Sequence, residues 1–249
     1  MRPLCHFCDI PHQVDHMTRQ NVILTTSTLS GIQYLQGWGW NGIPPTHCDM
    51  EAIPGAKIHT LKKAWERAYM TNPLAINTVL VAGLNDVKDT AKLYLNKYTM
   101  EQVAEFVSED ILNSIKGLHR LIRDHSKKYD VVDTFAVGTI LHVPALYWHD
   151  DDGPVPSDSY VNYRSIIDRT NLKIEAFNIE VGSSSAPKLH QTGERCLKHG
   201  QKRIFMWDVF REEAKSDMMH LKDPQRFKMA KCIVKYFDKA TPRAYQHLD

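Results

Sequence analysis

Thr78-Val79-Leu80-Val81-Ala82 is an unbroken apolar run that stops at Gly83-Leu84-Asn85-Asp86. A strand with one wet face alternates apolar and polar side chains, so a run without alternation predicts a strand covered on both faces, as in a parallel sheet clad by helices. Val22-Ile23-Leu24-Thr25-Thr26-Ser27-Thr28-Leu29 has the same character. It is rich in β-branched residues and closes in small hydroxyl residues, which predicts a buried first strand presenting Ser27 at its carboxyl end. His47 to Ile53, closed by Pro54-Gly55-Ala56, is read as a second strand and residues 134 to 143 as a fourth. Lys173 to Val181, with Ile174, Ala176 or Phe177, and Ile179 in alternation, is read as a fifth.

Between these runs the apolar spacing changes to three and four. Ile58, Leu61, Ala64, Trp65, Ala68 and Tyr69 predict a helix reaching Met70. Met100, Val103, Phe106, Val107, Ile111, Ile115, Leu118 and Ile122 predict a long amphipathic helix from Thr99 to about Lys127, opened by a capping box of Thr99 and Gln102. A shorter helix is expected over Tyr160 to Thr170. A last one, from Asp223 to about Lys239, buries Phe227, Met229 or Ala230, Ile233, Val234 and Phe237 and turns Lys228, Lys231, Lys235 and Lys239 to the other side. Strand and helix alternate, which predicts an α/β fold: a three-layer α/β/α sandwich around a central parallel sheet of about five strands.

With 249 residues, 43% of them hydrophobic, the chain can build one large domain. We assign it residues 21 to 240, after a leader over 1 to 20 and before a tail over 241 to 249. The formal charge of +2 is too mild for a surface that coats nucleic acid. No stretch approaches the ~18 apolar residues that spanning a bilayer requires, and the first residues lack the apolar core of a signal peptide. An intracellular, cytoplasmic protein is expected. The five cysteines are scattered and odd in number, which is not a disulfide framework.

Cys5-x-x-Cys8 followed by His12 and His16 supplies four zinc ligands of the right chemical type, at gaps tight for one tetrahedral site. The leader is thus either a zinc module or its remnant, or a flexible lead-in. Residues 30 to 46 are rich in glycine and proline and predict a loop, in which Trp38 and Trp40 are candidates for lining an acyl or aryl pocket; packing beneath the loop is the plainer account. His149 to Pro154 is an acidic loop, read as a solvated turn in preference to a cation site. Between Ser183 and Lys215 only Ile204-Phe205-Met206-Trp207 stands out.

Ligands of open α/β sheets bind beyond the carboxyl ends of the strands. Ser27 follows the first strand, Gly55 the second and Asn85 the third, so all three face one rim. Acyl transfer needs a nucleophile, a base, a group that orients the base, and donors aimed at the developing oxyanion. Ser27 is the candidate nucleophile and His220 the candidate base, with Asp217 three residues earlier to hold its other ring nitrogen. Ser27 itself, Gly55 and Asn85 are the candidate oxyanion donors, and Asp86 adjoins them as a candidate pocket residue.

In this order and placement the blocks resemble those of the SGNH hydrolase (GDSL-type esterase/lipase) superfamily, over roughly residues 21 to 238. Ile23-Leu24-Thr25-Thr26-Ser27 is similar to the Ile-Leu-Gly-Asp-Ser block that carries the family serine. Pro54-Gly55 is similar to the second block, Gly83-Leu84-Asn85-Asp86 matches the third, Gly-x-Asn-Asp, and Asp217-Met218-Met219-His220 resembles the last, Asp-x-x-His. The resemblance implies a flavodoxin-like sheet, hydrolysis of a small acyl-ester or acetylated substrate through an acyl-enzyme, and no metal or organic cofactor. The leader's cysteines and histidines also resemble the small zinc module that precedes esterase-like domains in mobile-element proteins.

Thr25-Thr26 departs from the family's Gly-Asp. Glycine permits backbone conformations that a β-branched residue resists, and the family aspartate helps to hold the serine turn. The alternative is therefore a catalytically degenerate domain kept for binding or assembly, its partner a nucleic acid, a lipid or a protein. A flavodoxin-like domain binding a phosphate or nucleotide at the same rim ranks last, since no glycine-rich phosphate loop is present.

Overall fold

A computed structural model describes residues 19–29, 48–95, 97–140, 149–150, 153–154 and 157–182, together with Arg226, Met229, Ala230, Ile233 and Phe237. Strands β1 (Gln20–Thr25), β2 (Cys48–Ala52), β3 (Ile76–Val81) and β4 (Thr134–Val137) form one sheet. All its neighbours are parallel, in the order β2-β1-β3-β4. Every residue of β3 is buried, as its unbroken apolar run requires. Thr25 lies in register with Ala52 on one side and Val81 on the other, so β1, β2 and β3 end level. The residues just past each of these strands are delivered to the same rim.

The helices are α1 (Ile58–Tyr69), α2 (Leu84–Tyr94), α3 (Met100–Tyr129) and α4 (Ser157–Gly182). Val22, Leu24, Ile76, Leu80, Phe135 and Val137, on one face of the sheet, share a core with Ile58, Leu61 and Trp65 of α1 and with Val107, Ile111 and Ile115 of α3. Each large side chain so buried contributes about 1.5–3 kcal/mol. The opposite residues Ile23, Val79, Val81 and Ala136 are buried outside that core. So are Met229, Ala230, Ile233 and Phe237, helical residues at the spacing expected for the final helix. Both faces of the sheet are covered, as a three-layer sandwich requires.

Helix α3 opens on the expected capping box. Gln102 N–H donates to Thr99 Oγ1 at 3.4 Å and Thr99 N–H to Gln102 Oε1 at 3.1 Å, and the helix closes on Asp130 in the left-handed region at φ 51°. The acidic loop is a small hairpin, β5 (His149–Asp150) paired antiparallel with β6 (Gly153–Pro154). Helix α2, which the sequence did not announce, begins inside the Gly83-Leu84-Asn85-Asp86 block.

Lys173 to Val181 is not a fifth strand: it is the second half of α4. Its buried residues, with those before it, are Ile166, Ile167, Thr170, Asn171, Ile174, Phe177 and Asn178, a helical stripe in which polar side chains hold three places. Ala176 and Ile179, half of the supposed alternation, are exposed. The asparagines have work on this stripe. Asn178 accepts from Val137 N–H at 2.9 Å and donates to Val137 C=O at 2.6 Å, and Asn171 does the same for Ile140 at 2.6 and 3.0 Å. Gly138 N–H turns the other way, to Leu80 C=O. Val137 closes β4, and the Asn178 amide occupies its N–H and C=O, where a further strand would pair, while Asn171 serves Ile140 just beyond the strand. Each buried backbone group left without a partner costs about 1–3 kcal/mol, so Asn178→Leu is expected to destabilise the fold by about 2–3 kcal/mol in a denaturant titration.

The opposite end of the sheet is tied by a buried polar cluster. His125 Nδ1 lies 2.7 Å from Asp133 Oδ2, and Nε2 lies 2.6 Å from Asn72 C=O. The second contact makes Nε2 the donor, since a carbonyl only accepts. Asp133 also accepts from Ser126 Oγ at 2.8 Å and from Ile76 N–H at 2.7 Å. Side chains of His125 and Asp133 are wholly inaccessible to solvent, and Trp65 meets the imidazole edge-on at 5.7 Å. Asp133 precedes β4 and Ile76 opens β3, so the cluster locks α3 to the amino edge of the sheet.

Candidate active site

The rim at the carboxyl ends of β1, β2 and β3 holds three of the residues singled out in the sequence. Ser27 stands two residues beyond β1 in a turn anchored by the buried Leu29. Thr25 completes β1: its carbonyl accepts from Ile53 N–H at 3.0 Å and its Oγ1 donates to Val81 C=O at 3.1 Å. Among the described residues Asp130 is the one non-glycine with positive φ. Thr25 and Thr26 thus adopt ordinary backbone conformations, and the strain expected of β-branched residues here is absent. Thr26, the residue before Ser27, is buried.

Gly55 sits in a turn that Pro54 and Gly55 dictate. Ala56 N–H donates to Ile53 C=O at 3.1 Å, with proline and glycine at the two central positions and Gly55 at φ +73°, the pattern of a type II turn. A Cβ at this position would touch nothing within 4 Å, so conformation and not space calls for glycine. Gly55 is exposed, and among the described residues nothing accepts a hydrogen bond from its N–H.

Asn85 lies in the first turn of α2 and reaches across to the Gly55 turn, its Nδ2 donating to Ala56 C=O at 3.0 Å. One amide hydrogen is used in this way, which fixes the plane of the amide and leaves the second for another acceptor. Gly83, which starts the block, has φ +121°, and an added Cβ would come within 2.7 Å of Ile140 Cδ1. Backbone and packing both demand glycine there. Asp86 is buried, and both of its carboxylate oxygens lie 3.2 Å from Ile58 N–H at the start of α1. Desolvation pushes its carboxyl up from the ordinary range, opposed by the backbone N–H groups of Ile58 and Asp86 itself and by the charges of His59 and Lys57.

Asp217, His220, Trp38 and Trp40 lie outside the described residues, as do Cys5, Cys8, His12 and His16. Ser126, His125 and Asp133 are a serine, a histidine and an aspartate in contact, but they stand at the amino edge of the sheet, away from the rim. Ser126 Oγ gives its one hydrogen to Asp133 Oδ2 at 2.8 Å, and the two nitrogens of His125 meet Asp133 and Asn72 C=O and not Ser126, so this is a fold-holding cluster. Among the described residues no group of three or more His, Cys, Asp or Glu could hold a metal ion, and no helix is long and apolar enough to cross a membrane.

No family model matches the sequence, and no curated protein sequence is significantly similar to it. Solved structures are similar. A GDSL-like lipase from Bacteroides thetaiotaomicron VPI-5482 aligns with a TM-score of 0.51 at 13% identity, over 90% of this chain and 87% of that one. A lipase from a goat rumen metagenome aligns with a TM-score of 0.53 at 15% identity, over 88% of this chain and 98% of that one. Likeness at these identities speaks for the fold. The chain therefore shares the α/β fold of these two lipase structures, with a parallel sheet between helices.

Proposed function

We propose that the protein is a serine hydrolase of the esterase or deacetylase class, acting on a small acyl-ester or acetylated substrate through an acyl-enzyme on Ser27. The observation that carries this is the level ending of three adjacent strands, with Ser27 on the central one, Gly55 and Asn85 on its two neighbours, and the Asn85 amide bonded beside Gly55. The names of the two structural neighbours, both lipases, favour the same chemistry.

In this mechanism Ser27 Oγ attacks the substrate carbonyl while His220, oriented by Asp217, takes the hydroxyl proton. The carbonyl π bond opens and its oxygen becomes an oxyanion, which accepts hydrogen bonds from backbone N–H groups of Ser27 and Gly55 and from the second amide hydrogen of Asn85. Collapse of the oxyanion breaks the bond to the leaving alcohol, which departs with the proton from His220. Water then repeats the sequence on the acyl-enzyme and releases the acid. An oxyanion donor contributes about 2.7–4 kcal/mol to the transition state, so Asn85→Ala is expected to lower kcat by roughly a hundredfold or more in a short-chain ester assay.

The test is a fluorophosphonate probe on the purified full chain, read by intact mass and peptide mapping. A single adduct on Ser27 is the expected result; a folded protein that takes no label, or takes it elsewhere, refutes the assignment. The buried Thr26, in place of the family aspartate, favours a second reading, a degenerate domain that binds without hydrolysing. Salt-sensitive association with RNA or DNA by an unlabelled protein would support it.

A further inference from the structure

Helix α1 starts without a cap of its own. Its N-cap residue Lys57 makes no side-chain capping bond, and no acidic residue lies in its first turn. The Ile58 N–H is instead capped by Asp86, 28 residues further on and across the rim. A serine or aspartate at the N-cap would accept instead from His59 or Thr60 N–H, without taking a carboxylate out of water. What a remote cap adds is a tie between the loop after β2, which carries Gly55, and the first turn of α2, which carries Asn85.

Three contacts make that tie, and they differ in weight. Lys57 Nζ to Asp89 Oδ2, at 2.7 Å, joins side chains 38% and 46% exposed, where solvent screens most of the attraction. The Asn85 amide to Ala56 C=O is a neutral bond. The Asp86 carboxylate on Ile58 N–H is buried, charge-assisted and set at the positive end of a helix, which makes it the strongest of the three. We propose that Asp86 is a positioning residue: by holding the start of α1 against the first turn of α2, it keeps the Gly55 N–H and the Asn85 amide aimed at one point. This rests on the hydrolase function proposed above and adds to it the residue that sets the geometry of the oxyanion donors.

A misplacement of about 1 Å at a reacting centre can cost about a hundredfold in rate. Asp86→Ala is accordingly expected to lower kcat toward p-nitrophenyl acetate by about ten- to a hundredfold with KM within about twofold. Asp86→Asn, which keeps an acceptor for Ile58 N–H, should recover most of that loss. Amide exchange over residues 53–60 should quicken in Asp86→Ala while that of α3 stays as it is. A kcat within about twofold of the parent, alongside a lowered melting temperature, overturns the proposal and leaves Asp86 as a cap alone. Should Asp86→Ala fail to fold, Asp86→Glu, one methylene longer, is compared with Asp86→Asn: a lower kcat for Glu supports the proposal and equal values overturn it. A parent protein that neither labels with fluorophosphonate nor turns over overturns the hydrolase function, and this inference with it. A labelled, active parent beside an unaffected Asp86→Ala overturns the inference alone.

Discussion

Ser27→Ala is expected to abolish ester hydrolysis, lowering kcat by roughly 10⁵- to 10⁶-fold, while the unfolding free energy changes by no more than about 1 kcal/mol. The size follows from the role. Without Oγ no acyl-enzyme forms, and the remaining donors can only polarise a carbonyl toward water. The small stability change follows from the position: Ser27 is half-buried in a turn beyond β1, and the neighbouring Leu29, fully buried, holds that turn in the core. Steady-state turnover of a short-chain ester, measured beside a thermal melt, separates the two. Undiminished turnover in the variant would remove Ser27 from the mechanism. A parent activity matched by Thr26→Asp would, in the same assay, show that the first block works as it stands.

Asp133→Ala should have the largest effect on stability, a loss of about 3–5 kcal/mol. Removing the Asp133 carboxylate takes the hydrogen-bond partner from three groups at once, His125 Nδ1, Ile76 N–H and Ser126 Oγ. For a domain of this size about 1 kcal/mol corresponds to about 2–4 °C, so the melting temperature should fall by about 6–20 °C. Asp133→Asn, which keeps an acceptor for Ile76 N–H, should fall between. At a temperature where the variant remains folded, kcat should match that of the parent, because the cluster lies at the amino edge of the sheet and the rim at the other. A loss below about 1 kcal/mol would show that the cluster does not hold α3 to the sheet. A collapse of kcat in the folded variant would instead put this trio in the chemistry.

Much of the rim was legible in the sequence because its determinants are local. Pro54-Gly55 specifies a type II turn within four residues, and Thr99 with Gln102 specifies a helix start within four. The apolar runs at Val22 and Thr78 specify strands by themselves. Once strands are parallel and in level register, the residues just past their ends must share a rim, so Ser27, Gly55 and Asn85 followed from pattern alone. The expectation of strain at Thr25-Thr26 was a local argument too. It failed because Thr25 lies within β1, where a β-branched residue is at home and its hydroxyl finds the Val81 carbonyl.

Sequence by itself determined the strand cores, the long α3 and the turns at the rim, since each is marked by a pattern of residue types only a few positions long. Tertiary structure decided the rest. Lys173 to Val181 continues the helix from Ser157, on which Asn178 and the earlier Asn171 serve backbone groups of Val137 and Ile140, 41 and 31 residues away, and an asparagine on a buried stripe reads as a breach of apolar spacing until its partner is known. Asp86 caps a helix that starts 28 residues before it. Such groups are satisfied only once the parallel sheet has brought distant loops to one edge, and no periodicity in the chain records which edge that will be.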